Sequence, residues 1–252
     1  IAILNQKGGT GKTTTTVNVA GGLAQKGHDV LVVDVDSQGH VGVSLGVDGE
    51  KTLYHVLVED ADLEECAVQA RPHLDIIAGD DTLARAELFL ARHDDNRDRL
   101  LQSKVGRNPG YDYVIFDCGP SLSLLNMNAL TYAKHLIVPV ACDFLSLIGV
   151  KQVLKTLKNI NRVLLHPIDI LGILPTFYDM RNNISDEAIK TLKSHFHDKV
   201  LPPIRVNTRL KEAPRHQQTI FEYAPSSRGA RDYTKLVEFL IDEDDTELQA
   251  SA

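Results

Sequence analysis

The chain has 252 residues, 43% of them hydrophobic and 24% charged, which is typical of a soluble globular protein with a sizeable core. Its apolar runs are too short to cross a bilayer, and its three cysteines lack metal-ligand spacing, which favours a reduced cytosolic protein without a membrane span. The net charge of −7 argues at first against a nucleic-acid partner.

Apolar runs alternate with helix-length stretches along the chain. The runs are rich in β-branched residues and end at Gly, Pro, Asp or Asn, as strands buried on both faces do. They cover residues 1–5, 30–36, 74–80, 111–120, 135–142 and 168–177. Helical periods predict helices over Thr13–Lys26, Thr82–Gln102 and Leu145–Val163. The chain begins at Ile1 inside the first run, so we expect an initiator methionine and a residue or two to precede it.

This alternation predicts an α/β fold with a mostly parallel, doubly wound central sheet. No linker or repeat interrupts the pattern, so we expect a single domain over residues 1–252, with an acidic tail from about residue 242. In such sheets ligands bind beyond the carboxyl ends of the strands. The residues that follow each run are therefore the candidates for function.

The first run leads into a glycine-rich turn, "KGGTGKT" at residues 7–13. Glycines let backbone N–H groups curl around an anion, and a helix that starts near Lys12 adds the positive end of its dipole. This predicts a phosphate loop in which Lys12 reaches the β- and γ-phosphates of a nucleotide and Thr13 ligates Mg²⁺. A glycine turn without function would not explain lysine and threonine at this spacing.

Carboxylates follow two other runs. Asp34 and Asp36 come at the end of the second run, and side-chain alternation along a strand predicts that they share one face. Asp117 ends "VIFD", four apolar residues and an aspartate, which is the Walker B pattern in which the carboxylate holds Mg²⁺ through water. Gly119 and Pro120 would then start a switch-like loop.

The opening motif departs from the standard G-x-x-x-x-G-K-[ST], because Gln6 occupies the first glycine position. It fits K-G-G-x-G-K-T, the deviant Walker A motif, and with it the sequence resembles the ParA/MinD group of dimerising P-loop ATPases. In that group the early lysine, here Lys7, reaches across a dimer interface to the partner's phosphates. Such a charge finger is worth roughly 10³-fold or more in rate. A lysine that only faces solvent would fit the same sequence.

The resemblance implies a set of site residues. It gives Asp36 a water-orienting role and assigns Asp34 to the outer shell of Mg²⁺. The implied catalytic residues are Lys7, Lys12 and Asp36; the implied ATP contacts are Lys7, Gly8, Gly9, Thr10, Gly11, Lys12, Thr13 and Thr14; and the implied metal contacts are Thr13, Asp36 and Asp117.

Three C-terminal segments extend the resemblance to ParA-type partition ATPases, from Ile1 to about Leu240. They are "TFYDMRNN" (176–183), "TRLKEAP" (208–214) and "YAPSSRGARDY" (223–233). The resemblance implies nonspecific DNA binding through Arg181 and Arg209, and we expect Lys211 and Arg215, which lie beside Arg209 in the sequence, to extend this surface. These cations lie in residues 151–235, which carry 15 Lys and Arg against 8 Asp and Glu, although solvated helix faces would explain that excess as well.

The function that the resemblance implies is a cytoplasmic, nucleoid-associated ATPase that forms a homodimer on ATP binding. It would hold nonspecific DNA and position a plasmid, chromosome or carboxysome through a ParB-type or carboxysome-adaptor protein that stimulates hydrolysis. The sequence names neither the cargo nor the adaptor. The departures "IRVNTRL" and "PRHQQTI" also leave the adenine-contacting residues unassigned.

Three alternatives remain. A MinD-like membrane-associated ATPase needs a basic amphipathic C-terminal helix, whereas here an apolar stripe, Tyr233, Leu236, Val237, Leu240 and Ile241, precedes "DEDDTELQ". We therefore expect the stripe to pack in the core, with no membrane contact. A metabolic or metallochaperone enzyme on the same fold would need substrate-binding carboxylates or cysteines in the switch region, and none stands out. Cys118 is interpreted as a small buried residue; the alternative is an iron–sulfur site shared between chains by Cys118 and Cys142.

Overall fold

A seven-stranded sheet forms the centre of the computed structural model, which describes residues 1–92, 100–105, 110–142, 155, 158, 159, 162 and 168–251. The strands are β1 (Ala2–Ile3), β2 (Val30–Asp34), β3 (Ala67–Arg71), β4 (Leu74–Ile77), β5 (Tyr113–Asp117), β6 (His135–Ala141) and β7 (Asp169–Thr176). Their order in space is β3-β4-β2-β5-β1-β6-β7, and every neighbouring pair is parallel except β3 with β4. The predicted doubly wound α/β architecture is confirmed.

Helices cover both faces of this sheet. They are α1 (Lys12–Gln25), α2 (His40–Leu45), α3 (Leu53–Val58), α4 (Leu63–Cys66), α5 (Leu83–Arg92), α6 (Leu100–Val105), α7 (Leu124–Tyr132), α8 (Asn183–Phe196), α9 (Thr208–Glu212), α10 (Ile220–Tyr223) and α11 (Arg228–Ser251). The helix predicted over Thr13–Lys26 corresponds to α1. The one predicted over Thr82–Gln102 covers α5 and the start of α6, and only four residues of Leu145–Val163 are described. No helix among the described residues is long and apolar enough to span a membrane.

The core consists of two apolar layers, one on each face of the sheet. Along β2, Val30 and Val32 pack in the layer that contains α1 and α11, whereas Leu31 and Val33 pack in the opposite layer. Burial on both faces explains why the strands read as continuous apolar runs without alternation.

Strand β3 was not predicted. It is half-buried, pairs antiparallel with β4, and carries an irregularity of register between Gln69 and Arg71. A short edge strand with polar residues lacks the apolar run that revealed the other six.

The carboxyl ends of the central strands meet at one edge of the sheet. In the register of the parallel pairs, Asp117 of β5 lies opposite Asp34 of β2 and Ile3 of β1. Next along this edge, β6 and β7 end together at Ala141 and Thr176. The loop that follows β1 is thus flanked by strands on both sides.

Candidate active site

The loop between β1 and α1 is held open by glycines. Gly9 and Gly11 have φ angles of +72° and +88°, the left-handed region that glycine adopts without strain. A Cβ on Gly8 or Gly9 would meet no atom within 4 Å, so this side of the loop faces open space. No side chain of the described residues caps α1, which leaves its first amide groups available to an anion.

Residues outside the motif fix the shape of this loop. Asn5 Nδ2 donates to the carbonyl of Pro139 on β6 at 2.7 Å, and Asn5 Oδ1 accepts from the backbone N–H of Lys7 at 3.0 Å. At the other end, Thr176 Oγ1 on β7 donates to the carbonyl of Thr10 at 2.8 Å. The ends of β6 and β7 therefore position the loop that β1 begins. Sequence reasoning gave Asn5 no role, and it used Thr176 only as the first residue of a motif.

Lys12 begins α1 and is only 8% exposed. Burial lowers the pKa of its ammonium group, although Asp117 and Asp36 oppose this effect. Within the described part of the chain, no carboxylate forms an ion pair with Lys12. A buried cation without a paired anion is costly, so this ammonium is suited to bind an anionic ligand such as a phosphate.

Asp117 is 1% exposed and lies against two hydroxyl groups of α1. Thr13 Oγ1 donates to its Oδ2 at 2.6 Å, and Thr16 Oγ1 donates to its Oδ1 at 2.8 Å. Burial raises the pKa of Asp117 to about 6, although both hydroxyl donors stabilise the charged form. Carboxylate and hydroxyl oxygens are ligands that suit Mg²⁺. Thr16 was not predicted. It lies three residues after Thr13 in the run "TTTT", and residues at this spacing share one face of a helix, which could have identified it.

Asp34 and Asp36 have different surroundings, because only Asp34 lies within the strand. Strand β2 ends at Asp34, which is fully buried and accepts the backbone N–H groups of Asp36 and Val41, both at 3.0 Å. Burial raises the pKa of Asp34, and its two hydrogen bonds fix the backbone of the next loop. Asp36 lies in that loop, half-buried, and accepts from the N–H of Gln38 at 3.1 Å.

The loop after β5 lies beside Asp36. A Cβ on Gly119 would lie 3.4 Å from Asp36 Cγ, at van der Waals contact, so the two residues are neighbours. Asn126 of α7 is buried and fixes the backbone of Gly119 by two hydrogen bonds. Its side chain accepts from the Gly119 N–H at 3.1 Å and donates to the Gly119 carbonyl at 2.9 Å. Asn126 carried no sequence signal. Cys118 is fully buried, as expected, and burial raises the pKa of its thiol.

The predicted basic residues lie in the exposed C-terminal segments. Arg181 is 88% exposed and pairs with Asp179 through two hydrogen bonds of 3.0 and 2.9 Å; these bonds lower the pKa of Asp179 to about 2. Arg209 donates to Glu212 at 2.8 Å, with its guanidinium 5.9 Å from the ring centre of Tyr223. The remaining two, Lys211 and Arg215, are also exposed.

Helix α1 contacts the segment that follows these basic residues. Asn18 Oδ1 accepts from the N–H of Ile220 at 2.7 Å, and Thr15 shares a 3.2 Å hydrogen bond with the hydroxyl of Tyr233. A Cβ on Gly22 would come within 2.6 Å of Val237 Cγ2, so the two helices are closely packed. The predicted packing of the apolar stripe is confirmed: Tyr233, Leu236, Val237 and Leu240 are buried and Ile241 is partly buried.

The sequence of this chain is similar to a family model and to several known proteins. A family model described as an AAA domain matches residues 1–170. The chain is 41% identical to the sporulation initiation inhibitor protein Soj of Bacillus subtilis, over 94% of this chain and 95% of that protein. It is 37% identical to the chromosome partitioning protein ParA of Caulobacter vibrioides, over 96% and 93%.

A solved structure is also similar. Cobyrinic acid a,c-diamide synthase from Mycobacterium smegmatis, with bound ATP analog and magnesium, superimposes with a TM-score of 0.83 at 31% identity. The match covers 98% of this chain and 95% of the synthase. The likeness therefore extends over nearly the whole of both chains, with the fold and the sequence in agreement.

Proposed function

The chain belongs to the ParA/MinD family of ATPases, and on that premise we propose that it is a partition or positioning ATPase that uses ATP and Mg²⁺. The observation that carries the proposal is the meeting of Lys12, Thr13 and Asp117 beyond β1 and β5. A buried ammonium beside a carboxylate–hydroxyl pair suits a triphosphate with its magnesium ion. Bound Mg²⁺ would neutralise charge on the phosphates during transfer.

In this proposal the protein holds the nucleotide through the loop and α1. The N–H groups of the loop and the first turn of α1 bind phosphate oxygens, and Lys12 binds the β- and γ-phosphates. Thr13 and Asp117 hold the metal. The remaining contacts of the loop are Gly8, Gly9, Thr10, Gly11 and Thr14. The open space beside Gly8 and Gly9 supports this assignment, because it leaves room for a ligand at the loop.

Lys7 is proposed to act on the neighbouring subunit, as the deviant Walker A motif implies. Its backbone is fixed at the rim of the loop by Asn5 and by Thr10, whose hydroxyl donates to the Lys7 carbonyl at 3.4 Å. From there its ammonium reaches the phosphates of the partner subunit, so ATP closes a homodimer. Asp36 orients the attacking water and contributes to the metal site. Its position between Gln38 and Gly119 supports this role.

The ATP-bound dimer is proposed to bind DNA without sequence preference through Arg181, Arg209, Lys211 and Arg215. Their exposure supports contact with phosphates. A cargo-bound adaptor protein, of ParB or carboxysome-adaptor type, then stimulates hydrolysis and the dimer leaves the nucleoid. Repeated cycles position the cargo, which is a plasmid, a chromosome or a carboxysome.

Two alternatives are weaker. Membrane binding by the C-terminal helix would need its apolar stripe, but the stripe is buried and the following residues 242–246 are exposed and mostly acidic. An amide synthase is suggested by a structure at 31% identity, whereas two relatives named as chromosome partitioning proteins are 37% and 39% identical. The described residues also contain no cluster of His, Cys, Asp and Glu that could hold a metal by itself.

A gel-shift assay with unrelated duplex DNA tests the proposal. We expect a shifted complex with a non-hydrolysable ATP analogue and none with ADP, and Arg209→Glu should abolish it while leaving nucleotide binding intact. Sedimentation with anionic liposomes is the control for the membrane alternative. Pelleting with liposomes in the absence of a DNA shift would overturn the proposal.

A further inference from the structure

The end of β7 is joined to the phosphate loop by one buried hydroxyl. Thr176 is the last residue of β7 and is 3% exposed. Its Oγ1 donates to the carbonyl of Thr10 at 2.8 Å, and its own carbonyl accepts from the N–H of Cys142 at the same distance. It is also the first residue of the segment that contains Arg181, although the proposed function uses only the arginine.

The next residue is conformationally strained. Phe177 has a φ angle of +52°, which is unfavourable for a residue with a bulky side chain. Its ring is 39% exposed and packs beside the loop, with Cε2 only 3.9 Å from the place where a Cβ on Gly11 would be. A strained residue therefore lies between the loop and the start of the basic segment.

The chain beyond Phe177 is connected to two of the candidate DNA-binding arginines, Arg181 and Arg209. Tyr178 donates its N–H to Ile204 at 3.1 Å and accepts from the N–H of Val206 at 2.9 Å, which fixes the backbone just before Arg209. Asp179, the next residue, holds Arg181. Movement at Thr176 would therefore move the supports of both Arg181 and Arg209.

Arg205 makes this second support rigid. Its backbone N–H donates to Asp232 of α11 at 3.0 Å, and its guanidinium pairs with the same buried carboxylate. The backbone before Arg209 is thus hydrogen-bonded to β7 on one side. On the other side it is bonded to α11, which packs on α1. These two attachments limit how far the segment can absorb a displacement at the end of β7.

We propose that Thr176 is a positioning residue that couples the phosphate loop to the DNA-binding arginines; this inference rests on the proposed function. When the loop closes around a triphosphate, the Thr10 carbonyl shifts and its hydrogen bond carries Thr176 with it. Phe177, held in an unfavourable conformation, is the residue that takes up the change. Because coupling is reciprocal, DNA should raise the affinity for ATP by the same factor by which ATP raises the affinity for DNA.

Thr176→Val tests the inference, because it keeps the volume of the side chain and removes only the donor. In wild type, ATP should raise DNA affinity relative to ADP; in the variant this ratio should fall about fivefold or more, which is the usual scale of such coupling. The ratio is measured at saturating nucleotide, so that any loss of nucleotide affinity caused by removing the donor to the Thr10 carbonyl does not enter it. Thr176→Ser, which keeps the hydroxyl, should restore the wild-type ratio.

Thr191→Val is the matched control, because its hydroxyl donates to the carbonyl of Glu187 at the same 2.8 Å but lies on α8. It should leave the ratio unchanged. An unchanged ratio in Thr176→Val would overturn the inference and leave the proposed function intact. Equal losses of DNA and nucleotide binding would also overturn it, since they indicate a purely structural role. If the wild-type protein bound DNA equally well with ATP and with ADP, both the proposed function and the coupling would be contradicted.

Discussion

The proposed DNA binding predicts a quantitative salt dependence. The structure exposes four candidate cations per protomer, Arg181, Arg209, Lys211 and Arg215, and therefore eight in a dimer. If each neutralises one phosphate, the logarithm of the binding constant should fall with the logarithm of salt concentration with a slope of about −7, since each contact contributes about −0.9. Arg209→Ala removes two contacts per dimer, so its slope should be about −5.

Fluorescence anisotropy of a labelled, unrelated duplex measures this slope, with a non-hydrolysable ATP analogue present and salt varied between about 50 and 200 mM. Lys199→Ala is the matched control. Lys199 is also exposed, but it lies near Asp169 at the amino end of β7, the opposite end of the strand from Thr176. Its slope should equal that of wild type. An unchanged slope in Arg209→Ala, or an equal change in the control, would refute the assigned surface.

Three further substitutions test other parts of the molecule. Lys7→Gln should keep nucleotide binding in the monomer but abolish the ATP-dependent dimer in light scattering; a dimer that forms normally would exclude the cross-subunit role. Asp36→Ala should accumulate an ATP-bound dimer with little phosphate release, and undiminished turnover would count against this carboxylate. Gly22→Ala should lower the melting temperature in thermal denaturation, because its Cβ would lie 2.6 Å from Val237 Cγ2. Overpacking of this kind costs about 1–3 kcal/mol, against the roughly 1 kcal/mol that alanine gains over glycine within a helix. Unchanged or higher stability would show that the side chains between α1 and α11 adjust to the added methyl group.

The sequence predicted the features that depend on local pattern. The loop at residues 7–13 and Asp117 were identified because each lies where an apolar run ends and polar residues begin. The same rule placed the strand ends only approximately: the run at 30–36 ends as a strand at Asp34, so Asp36 lies beyond the strand whose alternation the prediction used. A carboxylate that bonds to the next loop folds the chain out of the strand.

Features that depend on contacts distant in sequence were not predicted. Asn5 is fixed to a carbonyl 134 residues away, and Arg205 is paired with Asp232 across 27 residues. Asn126 acts on the backbone of a loop that precedes its own helix. Such polar side chains follow no periodicity or motif in the sequence. Their partners are backbone groups or single carboxylates that come near them only in the folded chain.

The two edges of the described sheet bear on how copies of this protein can meet. On one side, β3 is short, polar and irregular in register; on the other, residues 201 and 204 donate backbone hydrogen bonds to Ile173 and Pro175 of β7. Both arrangements discourage another chain from adding a strand and so building an open-ended aggregate. Association through the strand edges is thereby disfavoured, which is compatible with the reversible dimer of the proposed function.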